Sequence, residues 1–228
     1  MTSLNELTGT YVLDTAHTEI GFTARHAMVT KVRGAFGDFE GTASTGANLE
    51  DARIDVTIQA ASVDTKSADR DGHLRSGDFF DVETYPMIRF ASTSVTAADA
   101  DTLRVAGDLT IKDATLPVVI DFEYDGAALD PFGNQRVGLS GKVDVNRKDF
   151  GLVWNAALET GGVLVSENVT LTFEVSAIKQ ADAEAPADAP AEAPVAEEEP
   201  VVVDAPVAST QPSGFLGWMK NLFASSNR

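Results

Sequence analysis

Four segments of the chain alternate apolar and polar residues with a period of two, over residues 53–60, 101–111, 118–124 and 168–177. Successive side chains of a β-strand point to opposite faces, so each segment predicts a strand with one buried face. Such strands are typical of antiparallel sheets. A sheet with many of them must close or pair to bury its apolar side, and closure into a barrel makes that side a lumen.

Eight strand candidates can be placed along the first three quarters of the chain. They span residues 17–25, 32–41, 53–60, 87–95, 102–111, 116–124, 136–145 and 168–177. Turn-forming residues separate most of them. Between the third and the fourth candidate, the polar segment 67–76 predicts a short helix or turn that Gly72 interrupts. The expected fold is all-β, an eight-stranded antiparallel barrel with a short helix.

The chain of 228 residues divides into three parts by composition. Residues 1–179 hold the strand candidates and form the predicted barrel domain. Residues 180–212 are rich in Ala, Pro and Glu, cannot bury enough apolar surface to fold, and predict a disordered acidic linker. Residues 213–228 space their apolar side chains for a short amphipathic helix. Those side chains are Phe215, Leu216, Trp218, Met219, Leu222 and Phe223.

The predicted C-terminal helix is short and contains Gly217, so it should form only against an apolar surface. Its apolar stripe, with Lys220 and Arg228 nearby, fits weak contact with anionic lipid at a membrane surface. The same stripe also fits a groove of a partner protein, or the barrel of its own chain. The sequence leaves these alternatives open.

The net charge of −18 argues against nucleic acid as a partner, because the phosphate backbone would be repelled. The chain contains no cysteine, which excludes disulfides and thiol chemistry. No basic region followed by an apolar one begins the sequence, and no run of 18 apolar residues occurs. We therefore expect a cytoplasmic protein, held peripherally at the inner membrane face where the C-terminal helix binds lipid.

Few residues suggest catalysis or metal binding. The His17 imidazole can act as a general base oriented by Asp14, with Arg147 as a third polar group. The simpler interpretation is that Asp14 and His17 bond to the backbone where the chain enters the first strand, and that Arg147 fixes a loop. The histidines at 17, 26 and 73 have unrelated spacings, so we expect no metal site.

Residues 71–80, DGHLRSGDFF, combine charged and apolar side chains. One interpretation of this segment is a catalytic cluster. We favour a structural role in which Leu74, Phe79 and Phe80 cap one end of the barrel while the charged side chains face water.

Sequence motifs occur in a fixed order along the predicted barrel domain. They are YVLDTAHTEIGF at 11–22, DGHLRSGDFF at 71–80 followed by VETYP and IRF, GDLTIKDATLP at 107–117, and NRKDFGLVW at 146–154. Together they resemble the YceI family of polyisoprenoid-binding, lipocalin-like proteins, over about residues 9–178. The resemblance implies an extended eight-stranded antiparallel lipocalin-like barrel whose lumen accommodates an elongated isoprenoid lipid. Many members carry a secretion signal and the family core lacks an acidic tail, and the chain differs in both respects.

Thirteen apolar side chains are the candidates for the inner, lipid-binding face of the barrel. They are Phe22, Phe36, Ile54, Val56, Ile58, Ile88, Phe90, Leu109, Ile120, Phe122, Leu139, Leu171 and Phe173. Pattern alone allows them to fill a solid core or to line a hollow lumen. The family resemblance favours the hollow lumen, in which a bound chain gains about 0.8 kcal/mol for each buried methylene.

The expected function is non-enzymatic: to bind, sequester or transport a polyisoprenoid or an isoprenoid quinone precursor, with no cofactor or metal. Two alternatives stay open. The first is a lipid-modifying enzyme that uses His17, Asp14 or Arg147. The second is an interaction scaffold that acts through the C-terminal helix.

Overall fold

The computed structural model describes residues 3–159 and 161–181. The predicted C-terminal helix lies outside the described residues, and so does the predicted linker from residue 182 onward. The disorder predicted for the linker and the amphipathic helix predicted after it therefore stay predictions.

Within the described part of the chain, eleven strands form one sheet. They are β1 (Gly9–Leu13), β2 (Glu19–His26), β3 (Thr30–Phe36), β4 (Phe39–Thr45), β5 (Arg53–Gln59), β6 (Val63–Asp64), β7 (Met87–Ala97), β8 (Thr102–Ile111), β9 (Ala114–Leu129), β10 (Gln135–Asn146) and β11 (Asn168–Lys179). All the pairings between them are antiparallel.

Eight of these strands close into a barrel, in the order β1–β4–β5–β7–β8–β9–β10–β11. The ring closes where β1 also pairs with β11, through Tyr11–Lys179, Val12–Ile178 and Leu13–Ala177. The other half of β11 pairs with β2, which carries β3 and the short β6 beside it. The predicted all-β fold with an eight-stranded antiparallel barrel is confirmed.

Two of the differences from the expected strands lie in the first 45 residues. Strand β1 was not predicted, because five residues beginning with glycine give too short a pattern, and the strand depends on pairing with both β4 and β11. The predicted strand 32–41 is divided into β3 and β4. It breaks at Gly37, whose N–H donates to the Ser62 carbonyl instead of continuing the β2–β3 ladder.

The polar segment after β6 forms a helix, α1 (Ala68–Arg75), which Gly72 does not interrupt. The expectation that every charged side chain of this segment faces water is wrong for Asp71. Its buried carboxylate accepts hydrogen bonds from the Thr65 N–H, at 2.8 Å, and from the Thr65 hydroxyl. These bonds tie α1 to the residue that follows β6, which explains why a carboxylate is buried there.

The apolar core forms two clusters, one at each end of the barrel. At the first end, here called the helix end, Leu74 of α1 packs with Phe79 and Phe80 against the inner side chains, as the sequence predicted. At the second end, the turn end, a 3-10 turn over Leu4–Glu6 precedes β1, and its Leu4 is buried with Tyr11. Phe90 packs against both clusters.

No helix among the described residues is long and apolar enough to cross a bilayer.

Candidate functional site

The barrel encloses a cavity of about 250 Å³. All thirteen side chains predicted for the inner face line it, including Phe22, Phe90 and Phe173. Their contact with a lipid stays a prediction. The cavity lies on the face that the period-two alternation places inside, so the lining follows directly from the strand pattern.

The cavity is long and narrow. On β11 its lining runs from Val169 to Ala177, eight residues apart, which is about 27 Å along the strand. Because barrel strands tilt by roughly 35–45°, this corresponds to about 20 Å along the barrel axis. The volume is slightly below the range of about 300–1,000 Å³ that is typical of small-molecule sites. A cavity of this length and volume fits one slender hydrocarbon chain.

Several large inner side chains are only half-buried although they point into the barrel. Phe22, Phe122, Leu139, Leu171 and Phe173 all line the cavity and all keep accessible surface. Side chains that filled a solid barrel would be closely packed on every side. Their accessible surface faces the cavity, so the hollow interpretation of the lumen is the one the structure supports.

Three phenylalanine rings keep this space open by lying over glycines of a neighbouring strand. A Cβ atom built on Gly34 would come within 2.4 Å of the Phe22 ring, and one on Gly141 within 2.7 Å of the Phe122 ring. Gly107 stands in the same relation to Phe90. Each ring therefore occupies the space of an absent side chain instead of the centre of the lumen.

Arg147 is a charged side chain on the cavity wall, at the helix end, and only 6% of it is exposed. Its Nε donates to the Ser166 carbonyl at 2.9 Å, and its terminal nitrogens donate to the Leu152 and Val165 carbonyls. Burial lowers the pKa of its guanidinium, and the charge of Glu167 acts in the opposite direction. All three guanidinium nitrogens already have backbone partners, which agrees with the expected role of fixing a loop.

Asp14 and His17 lie outside the cavity, beside the seam between β1 and β11. The His17 Nδ1 and the Asp14 Oδ2 are 2.7 Å apart, and 66% of the His17 side chain is exposed. Arg136 donates to Asp14 and, at 2.8 Å, to Asp130. The hydrogen bond from Arg136 lowers the pKa of Asp14, and the bond with His17 adds to this effect. The group forms a surface network that joins β10 to the residues after β1.

Of the residues that a lipid-modifying enzyme would use, Arg147 lies far from Asp14 and His17 in the structure. The Asp14 N–H donates to the carbonyl of Ser176, which is paired with Gly138 on β10, whereas Arg147 follows the last residue of that strand. Arg147 lies nine residues after Gly138, which corresponds to about 30 Å along a strand. Arg147 therefore cannot act on the same atom as Asp14 and His17.

Two aromatic side chains near the cavity were missed by the sequence analysis. Trp154 packs edge-on against His73, with ring centres 4.6 Å apart, and tilted against Phe79 at 5.4 Å. Nothing in its local sequence pattern indicates this contact, because Trp154 follows the last 3-10 turn in an irregular segment. Tyr11 lines the turn end of the cavity, and its spacing of two from Leu13 was a signal that could have found it.

Among the residues described, no three His, Cys, Asp or Glu side chains are grouped to hold a metal ion.

The chain is similar to known proteins over the whole barrel. The family model described as YceI-like domain matches residues 11–177. A UPF0312 protein of Staphylococcus aureus strain MSSA476 is 37% identical over 169 residues, which are 73% of this chain and 95% of that protein. A second S. aureus UPF0312 protein, from strain N315, matches equally well.

Solved structures have the same fold. The YCEI protein of Campylobacter jejuni is 31% identical with a TM-score of 0.60, over 74% of this chain and 97% of that one. BcnA of Burkholderia cenocepacia is 22% identical with a TM-score of 0.62, over 72% of this chain and 98% of that one. A polyisoprenoid binding domain from Saccharophagus degradans is 16% identical with a TM-score of 0.59, over 75% of this chain and 98% of that one. At 22% and 16% identity, the last two likenesses show the fold alone.

Proposed function

Because the chain belongs to the family of YceI-like domains, we propose that its barrel binds one elongated apolar lipid in the lumen. The proposed ligand is a polyisoprenoid or an isoprenoid quinone precursor, which the protein sequesters or transports without changing it chemically. The observation that carries the proposal is the narrow cavity lined by inward-facing, half-buried apolar side chains such as Phe122 and Leu171.

Burial of the hydrocarbon supplies the binding energy in this proposal. Each methylene transferred from water to the cavity contributes about 0.8 kcal/mol, so a chain of several isoprene units binds without a strong polar contact. A branched, flexible prenyl chain also fits a wall that Phe side chains make uneven. One protein of this fold is described as a polyisoprenoid binding domain, which agrees with the proposal.

The polar groups near the cavity favour binding over catalysis. Arg147 uses its guanidinium nitrogens for backbone carbonyls. Asp14 and His17 lie outside the cavity lining and about 30 Å from Arg147 along β10. A general base must come within hydrogen-bond reach of the proton that it removes. A lipid enclosed in the lumen would be out of reach of His17.

Native mass spectrometry of the full chain tests the proposal. We expect the gently purified protein to carry one lipid per barrel, or to take up one prenyl lipid when it is added to delipidated protein. Val143→Trp places a large ring on the half-buried wall of the cavity and should abolish uptake, because the cavity is too narrow for both.

The matched control is Lys142→Trp, one residue earlier on β10, whose side chain is exposed on the outer face. This variant should take up lipid as the wild type does. If delipidated wild-type protein stays free of lipid with every prenyl compound offered, or if both tryptophan variants behave alike, the proposal is wrong.

We also propose that the carrier works in the cytoplasm and touches the inner membrane face through residues 213–228. The amphipathic spacing of Phe215, Trp218 and Leu222 supports this part of the proposal. Flotation with anionic vesicles should recover the full chain weakly and a chain ending at residue 181 not at all, while both chains keep their lipid. Equal flotation of the two proteins would contradict membrane contact through the C-terminal segment.

A further inference from the structure

The hairpin formed by β2 and β3 is a basic region of an acidic chain. Residues 20–37 contain Arg25, Lys31 and Arg33 but no Asp or Glu, although the net charge of the chain is −18. Arg25 lies directly opposite Lys31, and Arg33 follows on the same outer face of β3. Like charges placed opposite each other destabilise a pair of strands. Among the residues described, none of these three side chains, here called the basic patch, makes an ion pair.

The acidic side chains beside the basic patch are engaged elsewhere. Asp144 and Glu167 line the open groove next to the hairpin. The Glu167 carboxylate accepts a hydrogen bond from Lys148, and the Asp144 carboxylate accepts one from the Thr170 hydroxyl. The basic patch therefore remains free to attract an anionic partner.

The turn at the tip of the hairpin exposes apolar side chains. Met28 is 53% exposed and Val29 is 77% exposed. Ala27 and Met28 have positive φ angles of 49° and 61°, and the Val29 N–H donates to the His26 carbonyl at 3.1 Å. Turns that need positive φ normally use Asn, Asp or Gly. The turn geometry therefore does not account for apolar side chains at this tip.

The hairpin lies beside the helix end of the cavity. The Arg25 N–H donates to the Ser166 hydroxyl, and the Ser166 N–H donates to the Arg25 carbonyl, both at 2.9 Å. The Ser166 carbonyl also accepts the hydrogen bond from the Arg147 Nε. Ala24, the residue before Arg25, lines the cavity. A surface that contacts the hairpin would therefore lie next to this end of the cavity.

We propose that the basic patch and the apolar tip of this hairpin dock on an anionic membrane surface. The cations attract the lipid head groups, and Met28 and Val29 enter the head-group boundary. An acidic protein would fit the cations but would leave the two apolar side chains unexplained. The docking goes beyond the proposed function, and only its use in loading lipid at the helix end rests on that function.

This contact acts together with the one proposed for residues 213–228. Stable attachment to a membrane takes two weak signals, so the hairpin alone does not hold the protein through flotation. A Pro-rich chain as long as the predicted linker, residues 180–212, reaches about 100 Å when extended. Both contacts can therefore form on the same surface.

A fluorescent label on the hairpin tip tests the docking in the full chain. The chain contains no cysteine, so Val29→Cys takes a single NBD label. The matched control is Phe132→Cys, at a position that is 89% exposed in the β9–β10 turn at the other end of the barrel. With phosphatidylglycerol vesicles free of prenyl lipid, the emission at position 29 should rise about 2-fold, while that at position 132 stays unchanged. Neither label should respond to phosphatidylcholine vesicles.

A charge variant of the full chain tests the basic patch. With Arg25→Gln, Lys31→Gln and Arg33→Gln combined, affinity for phosphatidylglycerol vesicles should fall at least about 10-fold, since each cation near such a surface contributes about 5-fold. This variant should melt no lower than the wild type, because like charges are removed. The control makes the same charge change at exposed positions elsewhere on the barrel and should bind about as the wild type does; it combines Arg53→Gln, Arg104→Gln and Lys142→Gln.

An unchanged emission at position 29 overturns the inference, and an acidic protein is then the partner that fits the cations. Equal responses at positions 29 and 132, or equal losses in the two charge variants, overturn it as well, because the contact is then not specific to the hairpin. These results leave lipid binding untouched, since the vesicles hold no prenyl lipid. Failure of lipid uptake in native mass spectrometry would instead remove the proposed function and leave the docking in place.

Discussion

Arg147 shows how one residue can be charged, buried and structural together. Its guanidinium donates to the carbonyls of Ser166, Leu152 and Val165, which belong to the two segments that approach each other beyond the ends of β10 and β11. A planar group with five N–H donors can reach three divergent carbonyls, which a lysine ammonium on a flexible stem cannot do. Arg147 thus joins these two segments at the helix end of the barrel, and the planar shape of its guanidinium matters as much as its charge.

Replacing Arg147 with lysine should destabilise the protein by about 2–4 kcal/mol, because buried carbonyls lose their donors. Urea unfolding of Arg147→Lys and wild type at neutral pH measures the difference. The comparison variant is Arg104→Lys, which alters the exposed ion pair with Asp121 and should change the free energy of unfolding by less than about 1 kcal/mol. Similar losses in the two variants would show that Arg147 acts as a charge only.

At the scale of the strands, glycine and phenylalanine act as pairs across neighbouring strands. Gly141 of β10 lies directly opposite Phe122 of β9, and Gly34 of β3 lies opposite Phe22 of β2. In each pair the missing side chain leaves room for the ring to lie against the sheet. A strand glycine is normally unfavourable, so its use here fits a wall that must stay thin around a lumen.

Gly141→Ala should push the Phe122 ring toward the lumen, because the new methyl would lie 2.7 Å from a ring carbon. We expect a loss of stability of about 1–3 kcal/mol, which is typical of overpacking, together with reduced uptake of a prenyl lipid. Thermal unfolding and native mass spectrometry measure the two effects.

The double variant Gly141→Ala with Phe122→Leu should recover lipid uptake, since the smaller side chain leaves the lumen free. Ser140→Ala, on the opposite face of β10, is the control and should change neither quantity. Undiminished uptake by Gly141→Ala alone would contradict the role assigned to the glycine.

For the whole molecule, the critical feature is the closure of the ring. Strands β1 and β11 meet through three residue pairs only, whereas β10 and β11 meet through eleven. The side chain of Arg136 reinforces this short seam, because it joins Asp14 beyond β1 to Asp130 in the β9–β10 turn and approaches Ser176 of β11. The ionised carboxylates of Asp14 and Asp130 therefore add to the backbone pairing that closes the barrel.

Stability should fall with acidification because of this network. The Asn134 side chain and backbone, together with Arg136, hold the pKa of Asp130 well below its usual range, and Arg136 lowers the pKa of Asp14. A carboxyl whose pKa is lower in the folded state stabilises the fold above its unfolded pKa of about 3.9. That contribution is lost as the pH falls from about 5 through the folded pKa.

Asp130→Asn should be less stable than wild type at pH 7. The difference should shrink below about pH 4, where the Asp130 carboxyl takes up a proton in the unfolded wild-type chain but not yet in the folded one. Urea unfolding at pH 7, 4 and 3 gives the comparison. Asp55→Asn, at an exposed position of β5 without an ion pair to another described residue, should follow the wild-type pH dependence. If the free energies of unfolding of Asp130→Asn and wild type differ by the same amount at all three pH values, the ionised Asp130 carboxylate does not have the stabilising role assigned to it.

Period-two alternation predicted the strands and their inner face, and the count of eight strands with the family resemblance favoured the barrel. It placed Ile54, Phe122 and Leu171 on the inside because side chains alternate strictly along a strand, whatever the rest of the chain does. The same local rule accounts for all thirteen predicted lining residues. The alternation did not predict strand β1, because its stability comes from pairing with strands that are distant in the sequence.

Only the tertiary structure decided that the lumen is hollow, that backbone carbonyls engage Arg147, and that Tyr11 lines the turn end of the cavity. Each of these facts depends on which atoms of distant segments come within a few ångströms of one another. An alternating pattern fixes the side of the sheet on which a residue lies, but not the space left between opposite walls. That space is set by barrel diameter and by pairs such as Gly141 and Phe122, which form when the sheet closes.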